Sequence, residues 1–165
     1  LGLVLNLIVG FSKPRNRTLP IASYIIRAYE KTEFSHVYLK VFIPQAKKHV
    51  VYEAVGHGVR FISEEEWLKK ARIVKEFSIF ITEEQNDLLI SDCFDNCGKT
   101  YGFLQNLGIV ITDTFALAGN PFTKHRNCSE EVAKRVEKVG IIFKKSKNLI
   151  SPKDLYEYFN ENKDL

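Results

Sequence analysis

The spacing of hydrophobic positions switches along the chain between runs of period two and runs of period three to four, and the switches mark out the elements. Residues 3–11 are mostly apolar and predict a buried strand, followed by the basic loop SKPRNR. Ile21, Tyr24, Ile25 and Ala28 recur at helical spacing, which predicts a helix over 19–31. Strands are predicted over 34–43 and 50–54, with extended chain continuing over 58–62 and a further strand over 73–81.

Polar residues supply the punctuation. Ser63 with Glu66 three residues on has the form of a capping box, so a short helix begins at Glu64. Thr82 with Gln85 caps the next helix, which runs to about Cys97, and Gly98 stands where a helix C-terminal glycine belongs. Residues 99–126 are rich in Gly, Thr, Asn and aromatic side chains and read mainly as loop with short helical pieces. Asn127 with Glu130 caps a helix ending at Gly140, a strand follows over 141–145, and Ser151-Pro152 opens a last helix. There is no internal repeat, low-complexity stretch or linker, so the reading is one α+β domain over residues 1–165.

Composition adds constraints. At 165 residues, 45% hydrophobic and 27% charged, the chain has ordinary globular usage and enough length for one core without staples. Its net charge is +4, with the basic residues scattered and no aromatic-interleaved basic stripe, which argues against a nucleic-acid partner. The opening LGLVLNLIVG has neither a basic leading region nor a small-residue cleavage site, and is too short to span a bilayer. A cytoplasmic protein without stable membrane insertion is the expectation. Three cysteines, an odd number, in a chain of this length do not form a disulfide scaffold.

Cys128 is the most informative of the three. Capping by Asn127 puts it at the first helical position, where the positive end of the helix dipole and free backbone N–H groups favour a thiolate. Lys124 and Arg126 push the same way if they lie close. Cys128, Val132, Val136 and Val139 share a face, so the thiol points toward the body of the protein. That direction suits a nucleophile and equally suits a small core residue.

A thiolate nucleophile needs a base. His36, Tyr38, Lys40 and Phe42 share one face of their strand, and a face so mixed suggests a site. The next strand carries Glu53. A tight turn at Pro44-Gln45 puts Glu53 directly opposite His36, where it holds the imidazole like the third member of a triad. A looser turn at Ala46-Lys47 puts Glu53 opposite Lys40, and a plain cross-strand salt bridge with Lys40 is the competing role.

The order of these features resembles the circularly permuted branch of the NlpC-type, papain-like superfamily, which includes the YiiX-like proteins and the lecithin–retinol acyltransferase group. The matching strings are FSHVYLKVF around His36, VYEAVGHGVRF around Glu53 and NCSEEVAKRVEKVG around Cys128. TYGFLQ at Tyr101 is similar to the tyrosine-glycine segment that precedes the cysteine in that superfamily, and SPKDLYEYF to the terminal segment of YiiX-like members. The resemblance implies a permuted papain-like fold, an antiparallel sheet packed on helices. It implies Cys128 as nucleophile, His36 as general base and Glu53 as the orienting residue, with Tyr101 and Tyr38 candidates for the substrate site or the oxyanion. The reaction implied is hydrolysis of an amide or ester through a cysteine thioester, or acyl transfer, with no metal or other cofactor. Its substrate would be a peptide, a peptidoglycan-like fragment or a lipid-like molecule. The long segment 102–126 and the long turn between the His36 and Glu53 strands depart from the pattern, and bear on substrate more than on reaction type.

Two rival readings stand beside it. Cys93, Cys97, His125 and Cys128 form a Cys3His set with spacings a zinc ion tolerates, although Leu89, Cys93 and Cys97 at steps of four also read as a packing stripe. Alternatively the domain binds a ligand without turnover. Trp67 reads as core or a helix-face anchor. His49 and His57 read as surface or turn residues, with His57 near the site if its strand runs on.

Overall fold

The computed structural model describes residues 4–15, 21–56, 58–99 and 127–162. Five strands, β1 (Val4–Pro14), β2 (His36–Ile43), β3 (Lys48–Val55), β4 (Gly58–Ser63) and β5 (Ala71–Thr82), form one antiparallel sheet in the order β4-β3-β2-β1-β5. Among the described residues the α-helices are α1 (Ile21–Glu30), α2 (Glu64–Leu68), α3 (Glu83–Asn96), α4 (Cys128–Glu137) and α5 (Pro152–Glu161). The α+β class expected from the sequence is what the chain forms. No helix among the described residues is long and apolar enough to cross a membrane.

The two-residue alternation of the strands separates two cores. Leu7, Val9, Phe11, Leu39 and Tyr52 point to one face, against Leu89 of α3, Val132 of α4 and Phe159 of α5. Tyr38 and Val51 point to the other, where Trp67 of α2 covers them. The crossing of β1 under Tyr38 requires Gly10: a Cβ there would lie 2.1 Å from Tyr38 Cζ.

The caps form as expected. Ser63, Thr82, Asn127 and Ser151 each accept from the backbone N–H three residues on. Gly98 follows α3 with φ +80, and its N–H donates to Val59 O at 2.8 Å, which ties the end of α3 to β4.

Two local expectations are corrected. The β2–β3 connection is neither of the two turns considered. Pro44–Ala46 form a 3-10 turn and Lys47 takes a left-handed φ of +50, so the loop uses all four residues and Ile43 pairs with Lys48. Lys40 then faces Val51 and Leu39 faces Tyr52, a register midway between the expected ones. Residues 141–145 are not a strand. Ile141 is buried and Phe143 packs on Tyr158 at 4.8 Å between ring centroids, so side chains rather than a ladder anchor the segment.

Candidate active site

The β2–β3 ladder ends at Leu39 and Tyr52, while β2 runs on beside β1 to His36 and β3 beside β4 to Val55. His36 and Glu53 therefore stand on stretches that have left each other's ladder. Glu53 lies diagonal to His36 on the same face, within reach of long side chains. Across this opening His36 Nε2 and Glu53 Oε2 meet at 2.9 Å.

Helix α4 lies over β2 and β3 and brings Cys128 to the same place. Asn127 Oδ1 accepts from the Glu130 N–H at 2.6 Å and Ser129 Oγ donates to Ile150 O at 2.7 Å, so the first turn is held from both sides. Deeper along the helix, Tyr52 Oη donates to Glu131 Oε1 at 2.6 Å and Arg135 Nη1 reaches Asp92 Oδ2 at 2.7 Å, fixing α4 against β3 and α3. The Cys128 thiol interacts with the His36 ring and is only 1% exposed. The His36 side chain keeps 19% of its surface exposed and Glu53 3%.

The bond pattern sets the tautomer. An ionised carboxylate only accepts, so His36 Nε2 donates to Glu53 and Nδ1 is the ring nitrogen left to face the thiol, as an acceptor in the neutral ring and as a donor in the imidazolium. Burial works against the imidazolium, but the bonds to Cys128 and Glu53 outweigh it and push His36 up to about 10. Burial likewise works against the Glu53 charge, yet His36, Arg60 and Trp67 bring it down to about 2. Glu53 is thus an anion at neutral pH, and it stabilises positive charge on His36.

Arg60 and Trp67 are parts of the site that the sequence reading did not assign. Arg60 Nε and Nη2 donate to Glu53 Oε1 at 3.1 and 2.7 Å. Trp67 Nε1 donates to Glu53 Oε2 at 2.9 Å. A signal for Arg60 was present: β3 and β4 follow closely in the sequence, and the pairing of Val55 with Gly58 sets Arg60 directly opposite Glu53. None existed for Trp67, whose position depends on how α2 docks.

Other candidates fall elsewhere. Lys40 bonds Glu64 at 2.5 Å and Glu76 at 2.6 Å, so it is not the partner of Glu53. Tyr38 does not fit the oxyanion role considered for it: its ring is buried against Trp67 and its hydroxyl donates to Glu76 at 2.6 Å. His49 Nε2 bonds Asn6 O at 3.1 Å. Tyr101, His57, Lys124, His125 and Arg126 lie outside the described residues. All three cysteines are free. Burial pushes the Cys93 thiol far up and raises Cys97 as well. Among the described residues no group of three His, Cys, Asp or Glu side chains is arranged to hold a metal, and His125 of the zinc set is not among them.

Cysteine, imidazole and carboxylate thus come together from three separate segments of chain, with the carboxylate held by two further residues, Arg60 and Trp67. No protein-family model matches the chain, and no curated protein is similar to it in sequence.

Proposed function

We propose that the protein is a thiol hydrolase of the permuted papain-like type, cleaving an amide or ester bond through a thioester on Cys128. The observation that carries this reading is the association of Cys128, His36 and Glu53, in which the imidazole bonds the carboxylate at 2.9 Å and interacts with the thiol. The α+β sheet with the cysteine at a helix start is compatible with that fold.

In the proposed reaction His36 Nδ1 takes the thiol proton and the sulfur attacks the substrate carbonyl. The developing oxyanion is met by the Cys128 backbone N–H, a donor that the first helical position leaves without an intrahelical acceptor. The C–N or C–O bond breaks as His36 returns the proton to the leaving group. Water, activated by the same imidazole, then hydrolyses the thioester and frees the acid. Another acceptor in place of water makes the protein an acyltransferase. Glu53 keeps Nδ1 basic and stabilises the imidazolium. A peptide, a cell-wall fragment or a lipid-like amide is the substrate class this chemistry serves.

The 1% exposure of Cys128 favours the plainer reading of a core thiol. Against that, a core thiol needs neither a histidine at its side nor a buried carboxylate behind the histidine, both costly to desolvate. Iodoacetamide labelling as a function of pH separates the two. The activated pair makes Cys128 react faster than a free thiol near pH 6, and His36→Ala abolishes the excess. Labelling at the free-thiol rate and indifferent to His36→Ala would remove the enzyme reading.

A further inference from the structure

Trp67 has a bond that packing alone does not call for. Its indole N–H meets the same carboxylate oxygen, Glu53 Oε2, that receives His36 Nε2, each at 2.9 Å. Arg60 takes the other oxygen with two donors. Every side of the carboxylate that the imidazole does not use is therefore committed, and the two constraints differ in kind. Arg60 is 36% exposed and sits at the end of a long flexible side chain. Trp67 is 2% exposed, and an indole offers a single donor in a rigid ring.

The ring is itself held. It packs against Tyr38 at 4.3 Å between centroids. Tyr38 lies on Gly10 and is anchored through its hydroxyl to Glu76. Helix α2 is capped by Ser63 and tied to the sheet by Glu64 on Lys40. The buried cluster of Tyr38, Val51 and Trp67 thus presents the indole nitrogen to Glu53.

Resting on the reading of Cys128, His36 and Glu53 above, we infer that Trp67 is a positioning residue, which holds Glu53 Oε2 on His36 and so sets the reactivity of Cys128 from the opposite face of the sheet. Without the indole donor, Arg60 becomes the dominant partner of the carboxylate and draws it from the imidazole toward solvent. Partners that orient the ligands of metal sites matter by about 10- to 100-fold, and an effect of that order is expected of the indole here.

Trp67→Phe keeps an aromatic ring and removes the donor. The expected result is an iodoacetamide rate on Cys128 near pH 6 that falls about tenfold, with the pH profile moving toward that of a free thiol. The loss should vanish in a Glu53→Gln background, because a residue acting through Glu53 has nothing left to position. A Trp67→Phe rate equal to that of the unsubstituted protein, or an equal loss in both backgrounds, overturns the inference while leaving the proposed function standing. If the unsubstituted protein itself labels as a free thiol, the proposed function fails and the inference with it.

A second measurement does not depend on Trp67→Phe folding. The chain contains one tryptophan, so its indole 15N–1H resonance reports Trp67 alone. That resonance should shift on Glu53→Gln and follow the titration of His36. A resonance unmoved by both shows that the indole is not coupled to the carboxylate and overturns the inference.

Discussion

His36 Nε2 and Glu53 Oε2 lie 2.9 Å apart although the two residues are not opposite one another in the sheet. The contact is diagonal, made where the β2–β3 ladder has ended, and it leaves Nδ1 of the ring for the thiol. Glu53→Gln preserves shape but not charge, and its amide can present a donor to Nε2. The imidazole then loses both its tautomer control and its counter-charge. Labelling of Cys128 near pH 6, and any hydrolytic activity, should fall by roughly 10²- to 10⁴-fold. A loss under threefold would mean that Glu53 serves packing and not the pair.

Glu53 also makes stability depend on acid. Its carboxyl is held down to about 2 against an ordinary value of 4.5, so the native state binds this proton more weakly than the unfolded chain does. The stabilisation is fully present above pH 4.5 and is lost as the pH falls toward 2. At one pKa unit per 1.36 kcal/mol the contribution is on the order of 3 kcal/mol. Urea unfolding between pH 6 and pH 3 should lose stability steeply in the unsubstituted protein and less steeply in Glu53→Gln.

Glu30 works in the opposite sense. It is buried at the end of α1 and accepts from the Lys153 N–H at 3.2 Å, near the start of α5. Burial outweighs that bond and the Ser151 hydroxyl, and pushes the carboxyl up to about 7. A raised value means that the native state holds the proton more tightly. The benefit is present below pH 4.5 and is lost as the pH rises through 7. Glu30→Gln, neutral at every pH, should therefore be the more stable protein at pH 8, by up to about 3 kcal/mol, and near parity at pH 4. Equal differences at both pH values would contradict this.

Asn127 separates helix capping from thiol chemistry. Asn127→Ala removes the bond to the Glu130 N–H and should cost about 1–2 kcal/mol by thermal or urea unfolding. Asn127→Asp keeps the cap but sets a carboxylate one residue from Cys128, which disfavours a thiolate there. Its stability should stay near that of the unsubstituted protein while Cys128 labelling near pH 6 falls several-fold.

Gly10 tests the far face. A methyl group at that position meets the Tyr38 ring at 2.1 Å, deep inside contact distance. Gly10→Ala should destabilise by about 1–3 kcal/mol, seen as a lower melting temperature. Because Tyr38 backs Trp67, it should also slow Cys128 labelling, whereas a distant core substitution of equal cost should not.

The features legible in the sequence are those governed by short-range interactions. The caps at Ser63, Thr82, Asn127 and Ser151 each bond three residues on, and strand alternation puts His36, Tyr38 and Lys40 on one face. Position 128 at a helix start, and a histidine and a carboxylate on adjacent strands, follow from such local rules. How those pieces meet depends on long-range packing. The β2–β3 register turned on a four-residue connection, Pro44 to Lys47 with a left-handed φ at Lys47, where both expected turns had two residues. The β2–β3 ladder's early end let Glu53 reach His36 from a diagonal position. Trp67 came to Glu53 through the docking of α2, which packs the ring on Tyr38 and Val51 and ties its first turn to Lys40 through Glu64. Hydrogen-bond partners separated by many residues are chosen by packing, which local periodicity does not encode.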